Sequence, residues 1–347
     1  MKNKQFSTQL YNISKKETPS TNYSTRNYWF DNTKFFLILF VVVGHFTQHY
    51  KETNEILNYI HNFISLFHMP LFIYINGYFS KKSTSCKSEK IVKYFILFFI
   101  MQIIEYFLGG GYFGIVSPGF TLWYLQTIII YKLFTYILDE FKPLPIIILS
   151  IILGLFIGYD NFATTVGSIS RIITMFPFFI MGYYTNENFL HGLKEKSHII
   201  LSVLILLVIA ISLPNIMYGK IKMPIEIFYG KIPYADLGLG KYGFLHRLLW
   251  YILATITSIS FLSIVSQKKI PIISKFGTRT LQVYCLHALI FLLFQNSKYY
   301  FNIMEMTVTK QCLILIIGSM ILTLFLSLKI FSYPFDFIMN LKLGIKK

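Results

Sequence analysis

The sequence predicts an all-α polytopic membrane protein of about ten transmembrane helices, with both termini in the cytoplasm. Three observations carry this. Only 14% of the 347 residues are charged and 54% are hydrophobic, against about 25% charged in an ordinary soluble domain. Apolar runs close to the ~20 residues that a bilayer-crossing helix needs recur along the whole chain. Those runs do not alternate apolar with polar residues as barrel strands do, so helices remain the way to satisfy the backbone in lipid.

Residues 1–25 are polar, rich in Ser, Thr and Asn, and lack the apolar core of a signal peptide; they read as a disordered cytoplasmic tail. Residues 26–347 read as a single integral membrane domain without internal repeats. Spans are expected at 34–50, 60–80, 91–109, 120–138, 144–159, 168–184, 198–217, 244–266, 281–297 and 311–332. The loops set the orientation. With the amino terminus inside, most of the 32 cations fall in cytoplasmic segments, among them Lys15, Lys16, Arg26, Lys34, Lys81, Lys82, Lys90, Lys93, Lys194, Lys268, Lys269 and Lys329. The opposite side holds Lys51, Lys220, Lys222, Lys231, Lys241, Arg247, Lys298 and Lys310. The bias alternates loop by loop, as the positive-inside rule requires, and places the chain in the cytoplasmic membrane.

A net charge of +17 is thereby a matter of topology. The basic residues sit in short loops and not on one patch, which speaks against nucleic acid. Cys86, Cys285 and Cys312 form neither a CxxC nor a metal-ligand spacing and read as free thiols. The outer loop 218–243 is rich in Tyr, Gly and Pro and reads either as a lid with sugar-stacking rings or as a plain connector.

Ionisable residues within the spans are the candidates for chemistry. His45 lies 11 residues after Lys34, about 16 Å of helix rise and half of a ~30 Å hydrocarbon core. Lys34 can snorkel to the surface, whereas His45 reaches neither side. Such a group faces the bundle interior or a wet cavity. His68, in "FHMPLFIYINGYF", and His287, in "VYCLHALI", fall at similar depth; Arg171 and Glu105 lie near the outer ends of spans six and three. Each alone has an ordinary reading as a packing or helix-tying residue. Together they exceed what a purely structural bundle needs.

These blocks resemble one family. "RNYWFDNTKFFLILFVVVGHF" is similar to the opening span of the membrane acyltransferase-3 family, whose Arg or Lys precedes a His by the spacing of Lys34 and His45, with Arg26 and Asp31 matching its leading "R…D..K". "FHMPLFIYINGYF" resembles its second-span motif across His68, Pro70, Phe72 and Gly77. "TLWYL" at 121–125, "SRIITMFPFFIMGYY" from Ser170 and "GTRTLQVYCLH" ending at His287 resemble its later blocks, in family order. Asn76, Arg279 and Lys34 depart from the commoner Ser, Asn and Arg; lysine at 34 replaces a bidentate fork by a point charge.

The resemblance, closest to the branch of sugar O-acetylases related to fucose 4-O-acetylase, implies transfer of an acyl group, most often acetyl, from cytoplasmic acyl-CoA to a sugar hydroxyl. The acceptor it implies is a cell-surface or lipid-linked glycan. Acyl-CoA is then a donor co-substrate, with no permanently bound cofactor. A hydroxyl attacking a thioester must lose its proton, which suits a histidine. His45 is the candidate general base or transient acyl carrier, with His68 and His287 beside it. Arg171 is the candidate to stabilise the oxyanion. Arg26 and Lys34, with Asp31, stand where CoA's phosphates would enter. Trp123, Glu105 and Arg247 are candidates for contacts to the acceptor. A transporter or flippase lined by the same polar groups is the alternative.

Overall fold

The computed structural model describes residues 26–81, 87–109, 117–165 and 167–343; the expected tail over 1–25 lies outside them. The described residues contain no strand. A helix of twelve residues or more lies at each of the ten expected places: α1 (Tyr28–Thr47), α2 (Glu55–Lys81), α3 (Lys87–Phe107), α4 (Trp123–Phe134), α5 (Pro143–Phe156), α6 (Ile169–Tyr184), α7 (Lys196–Tyr218), α8 (Gly243–Ile264), α9 (Thr280–Gln295) and α10 (Val308–Leu326).

Five of these, α1, α2, α7, α8 and α10, are long and apolar enough to cross a membrane; α5, α6 and α9 are shorter apolar helices. The differences from the expected bounds have local causes. α2 begins five residues before its apolar run because Asn54 caps it, its Oδ1 accepting from the Leu57 N–H at 3.1 Å. α4 ends early, at Phe134, where a turn over residues 135–137 leads into the 3-10 turn Leu138–Glu140. Pro143 then opens α5, where its missing N–H costs nothing.

Two helices form the interior. α1 packs against α2, α9, α10 and the short helix Pro271–Phe276, and α2 packs along α6 and α8 as well. Of the most apolar stretch of α1, 72% is buried, against 17% for α7 and 22% for α10. α7 turns Ile200, Leu201, Leu204, Leu207, Val208 and Ile211 outward. A helix that is apolar all round yet largely uncovered calls for an apolar solvent. Inside, hydroxyls are satisfied by the preceding turn: Thr47 donates to Val43 O at 2.8 Å, and Thr127 to Trp123 O at 2.7 Å.

The prolines are used in the same way. Pro70 lacks the N–H that would reach Leu66 O, and the Trp250 indole N–H donates to that carbonyl at 3.2 Å. Near Pro177, the carbonyls of Ile172 and Thr174 accept from the hydroxyls of Tyr131 and Tyr251. The start of α1 is fixed by Trp29 and Asn32. The Trp29 N–H donates to Leu262 O at 2.7 Å, and the Asn32 amide donates to Ser266 O at 2.8 Å. Lys194 closes the end of α8 by donating to the carbonyls of Ser263 at 2.7 Å and Val265 at 2.5 Å.

Candidate active site

The interior helices leave a cavity of about 740 Å³ between them. Its walls come from α1, α2, the turn 117–121, the first residues of α4 and α6, the segment around Tyr229 and Lys231, and α9. His45, His68, Trp123 and Arg171 all line it. Four residues far apart in the sequence and expected to matter are thus brought to one space.

His45 projects from α1 with its ring half-buried and its Nδ1 enclosed without a hydrogen-bond partner. Phe120 lies 4.8 Å from it, ring to ring, and His287 5.3 Å. His287 stands behind His45 on α9, fully buried and off the cavity wall. Its Nδ1 meets Val283 O at 2.9 Å. A carbonyl only accepts, so Nδ1 carries the proton and Nε2 is left with a lone pair, and that Nε2 has no partner. His68 is set in the same tautomer by Ile64 O at 2.7 Å.

The turn that carries Phe120 is suspended from two helices. The Gln102 side chain on α3 accepts from the Gly119 N–H at 2.8 Å and donates to Ser117 O at 3.1 Å. The Thr121 hydroxyl donates to Glu105 Oε1 at 3.2 Å, and the Tyr284 hydroxyl of α9 donates to Thr121 O. Position 119 takes glycine because a Cβ there would lie 2.3 Å from Glu105 Oε2. Glu105 is fully buried behind this turn and does not line the cavity. It reaches the site only by holding Phe120 and Trp123 in place.

The Arg171 guanidinium stacks on Trp123, 4.8 Å from the ring centre. Arg247 is placed elsewhere. It is fully buried, donates to Gly154 O at 3.2 Å and Thr174 Oγ1 at 2.9 Å, and stacks on Tyr234. Arg26, Asp31 and Lys34 lie at the opposite end of α1. Asp31 bridges the two cations, at 2.8 Å to Arg26 and 2.9 Å to Lys34. A second cavity of about 130 Å³, bounded by Ile38 and Thr280, lies nearer that end. It shares Val41, Met69, Tyr124 and Tyr284 with the large one as a common wall.

A family model described as an acyltransferase domain, acyltransferase-3, matches residues 27–331. The chain belongs to the acyltransferase-3 family. The match takes in every helix that lines either cavity, and with the apolar helices it makes this a membrane acyltransferase. No curated protein and no solved structure matches the chain.

This acyltransferase-3 chain also uses residues that the sequence did not single out. His61 on α2 lines the cavity; its Nδ1 donates to the carbonyl of Gly44, the residue before His45, at 3.1 Å. That fixes a lone pair on Nε2, which accepts the Tyr229 hydroxyl at 2.7 Å. The outer segment is thereby tied through one imidazole to the backbone beside His45. The signal was a fourth span histidine on the same helical face as His68, at the i, i+7 spacing, with no local partner to give it meaning. Tyr229→Phe leaves the buried Nε2 without a donor, at a cost of about 1–3 kcal/mol. The expected result is a lower unfolding temperature in detergent and faster amide exchange at Gly44–Gln48; unchanged exchange there would show that the tie carries no strain.

Proposed function

We propose that this chain transfers an acyl group, most simply acetyl, from cytoplasmic acyl-CoA to a hydroxyl of a cell-surface or lipid-linked glycan. The observation that carries the reading is His45. It is a partly buried imidazole that lines this cavity from the last turn of an apolar helix, with a cation on the same cavity's wall and no carboxylate bonded to it. A base with a free ring nitrogen needs no rearrangement before it accepts a proton.

In this reading ten helices cross the cytoplasmic membrane with both termini inside. Arg26 and Lys34 then face the cytoplasm and meet the CoA phosphates, partly neutralised at rest by Asp31. The thioester reaches His45 past the common wall of the two cavities, through the smaller one. The acceptor enters the large cavity from the opposite side. His45 takes the hydroxyl proton as the new ester C–O bond forms, or first carries the acyl group itself. Arg171 offsets the oxyanion charge, and collapse of the intermediate releases the CoA thiolate. His287 backs His45 and His68 shares the wall. Trp123 shapes the acceptor's pocket, Glu105 holds that wall from behind, and Arg247 braces the helices around it. The branch of sugar O-acetylases fits these parts.

The test is made in proteoliposomes holding the full chain, with labelled acetyl-CoA on one side and glycan acceptor on the other. Label in the glycan is expected. Movement of glycan across the bilayer without label would favour the flippase reading instead. With Arg26 and Lys34 both changed to glutamine, the KM for acyl-CoA is expected to rise about tenfold, a loss of ~1.4 kcal/mol in binding, with kcat for glycan acylation little changed. An unchanged KM would confine the two cations to topology.

A further inference from the structure

We infer that the acceptor is an anionic glycan, bearing a carboxylate or phosphate, and that the start of α6 with Lys231 is the site that holds this charge; the inference rests on the proposed acyl transfer. The large cavity is lined by Lys51, Arg171 and Lys231 against one carboxylate, that of Glu52. Neither Arg171 nor Lys231 has an ion-pair partner among the described residues. Arg171 is partly buried and Lys231 exposed at the edge of the cavity, and an uncompensated, partly desolvated guanidinium is stabilised when a ligand supplies the opposite charge.

The arrangement is more than an excess of charge. α6 begins at this wall, with Ser168, Ser170 and Arg171 all lining the cavity. A helix start presents unpaired N–H groups and a positive dipole end. Two polar side-chain atoms there are enclosed and unpartnered, Ser170 Oγ and Arg171 Nε, and Ser170 is only 1% exposed. Ser168 is held at φ 56°, in the left-handed region, after Gly167 at φ 57°. Consecutive left-handed residues curve the backbone just before the helix, in a conformation that serine adopts only when its surroundings impose it. Lys231 lies, with its side chain exposed, on the outer segment that reaches the same cavity, and its pKa is lowered by partial desolvation and then by the Arg171 charge.

The donor does not supply the missing charge. The part of acyl-CoA that reaches His45 is the neutral thioester arm, and the phosphates remain with Arg26 and Lys34. The oxyanion is also insufficient, because it exists only during the reaction. A guanidinium carries five N–H donors, so an anion held at the Arg171 guanidinium leaves other donors free for the oxyanion.

The test is calorimetric titration of the full chain in detergent with no donor present, so that it reads binding whether or not acyl transfer occurs. The probes are methyl β-D-glucuronide, glucose 1-phosphate, methyl β-D-glucopyranoside and CoA. At least one charged sugar is expected to bind about tenfold more tightly than the neutral glycoside, and saturating CoA is expected not to displace it. Lys231→Gln and Ser170→Ala are each expected to reduce this preference to within about threefold. Neither change removes a hydrogen bond from the fold. Equal or absent binding of charged and neutral sugars, or a preference that survives both variants, overturns the inference. Displacement by CoA, with loss of CoA affinity in Lys231→Gln, overturns it too and assigns the cations to the donor.

Discussion

His45→Ala is expected to lower acyl transfer by about 10²–10⁴-fold, the range for removing a general acid–base group, while leaving the protein folded. The imidazole is partly buried on the cavity wall, its Nδ1 bonds to nothing, and its side-chain partner Gln48 also bonds exposed His49, so truncation leaves no buried partner unsatisfied. Stability is expected to change little, as an unaltered unfolding temperature in detergent would confirm. Transfer of labelled acetyl to glycan gives the activity. Residual transfer within about tenfold of the parent chain would exclude His45 from the chemistry. The same variant separates base from carrier. If His45 carries the acyl group, the unaltered chain retains label when given acetyl-CoA without acceptor, and the variant does not.

The second large effect concerns packing. Gly77 on α2 and Gly182 on α6 face each other's backbone: a Cβ on Gly77 would lie 2.1 Å from Phe179 O, and one on Gly182 2.0 Å from Tyr74 O. The obstacle on each side is a main-chain carbonyl, which cannot rotate away as a flexible side chain does. Small residues at such a crossing let two helices approach closely in lipid. Gly182→Ala is expected to cost about 1–3 kcal/mol or more, seen as a lower unfolding temperature and reduced yield of folded protein. It also moves Arg171 away from His61 and His68, because α6 carries the first and α2 the other two. Gly318→Ala in α10 is the control: nothing lies within 4 Å of its Cβ position, and alanine favours helix by about 1 kcal/mol. Equal behaviour of the two variants would show that the α2–α6 contact is not tight.

The fold was legible wherever a helix is left uncovered over most of its circumference. α7 and α10 are continuous apolar runs because no neighbour covers most of their surface. α3 is less apolar, carrying Glu89, Lys90, Lys93 and Glu105, and the sequence alone does not say that Glu105 and Gln102 are spent on holding a turn. His45 stood out by depth, an ionisable group beyond snorkelling distance. His61 did not, since its partners are a carbonyl seventeen residues earlier and a tyrosine 168 residues later. Hydropathy records which solvent a side chain meets. It carries no information on which distant atom completes a hydrogen bond, and the site is built mainly from such pairs.

The wall between the two cavities has a bearing on how the donor is admitted. Tyr284 belongs to that wall and is also the strut that grips Thr121. On the proposed route, parting the wall for a thioester slackens the turn that presses Phe120 on His45, so passage and uncovering of the base happen in one motion. On that route the shut partition keeps the donor's space and the acceptor's space as two separate cavities. A donor that follows it parts the wall only for the length of its own passage.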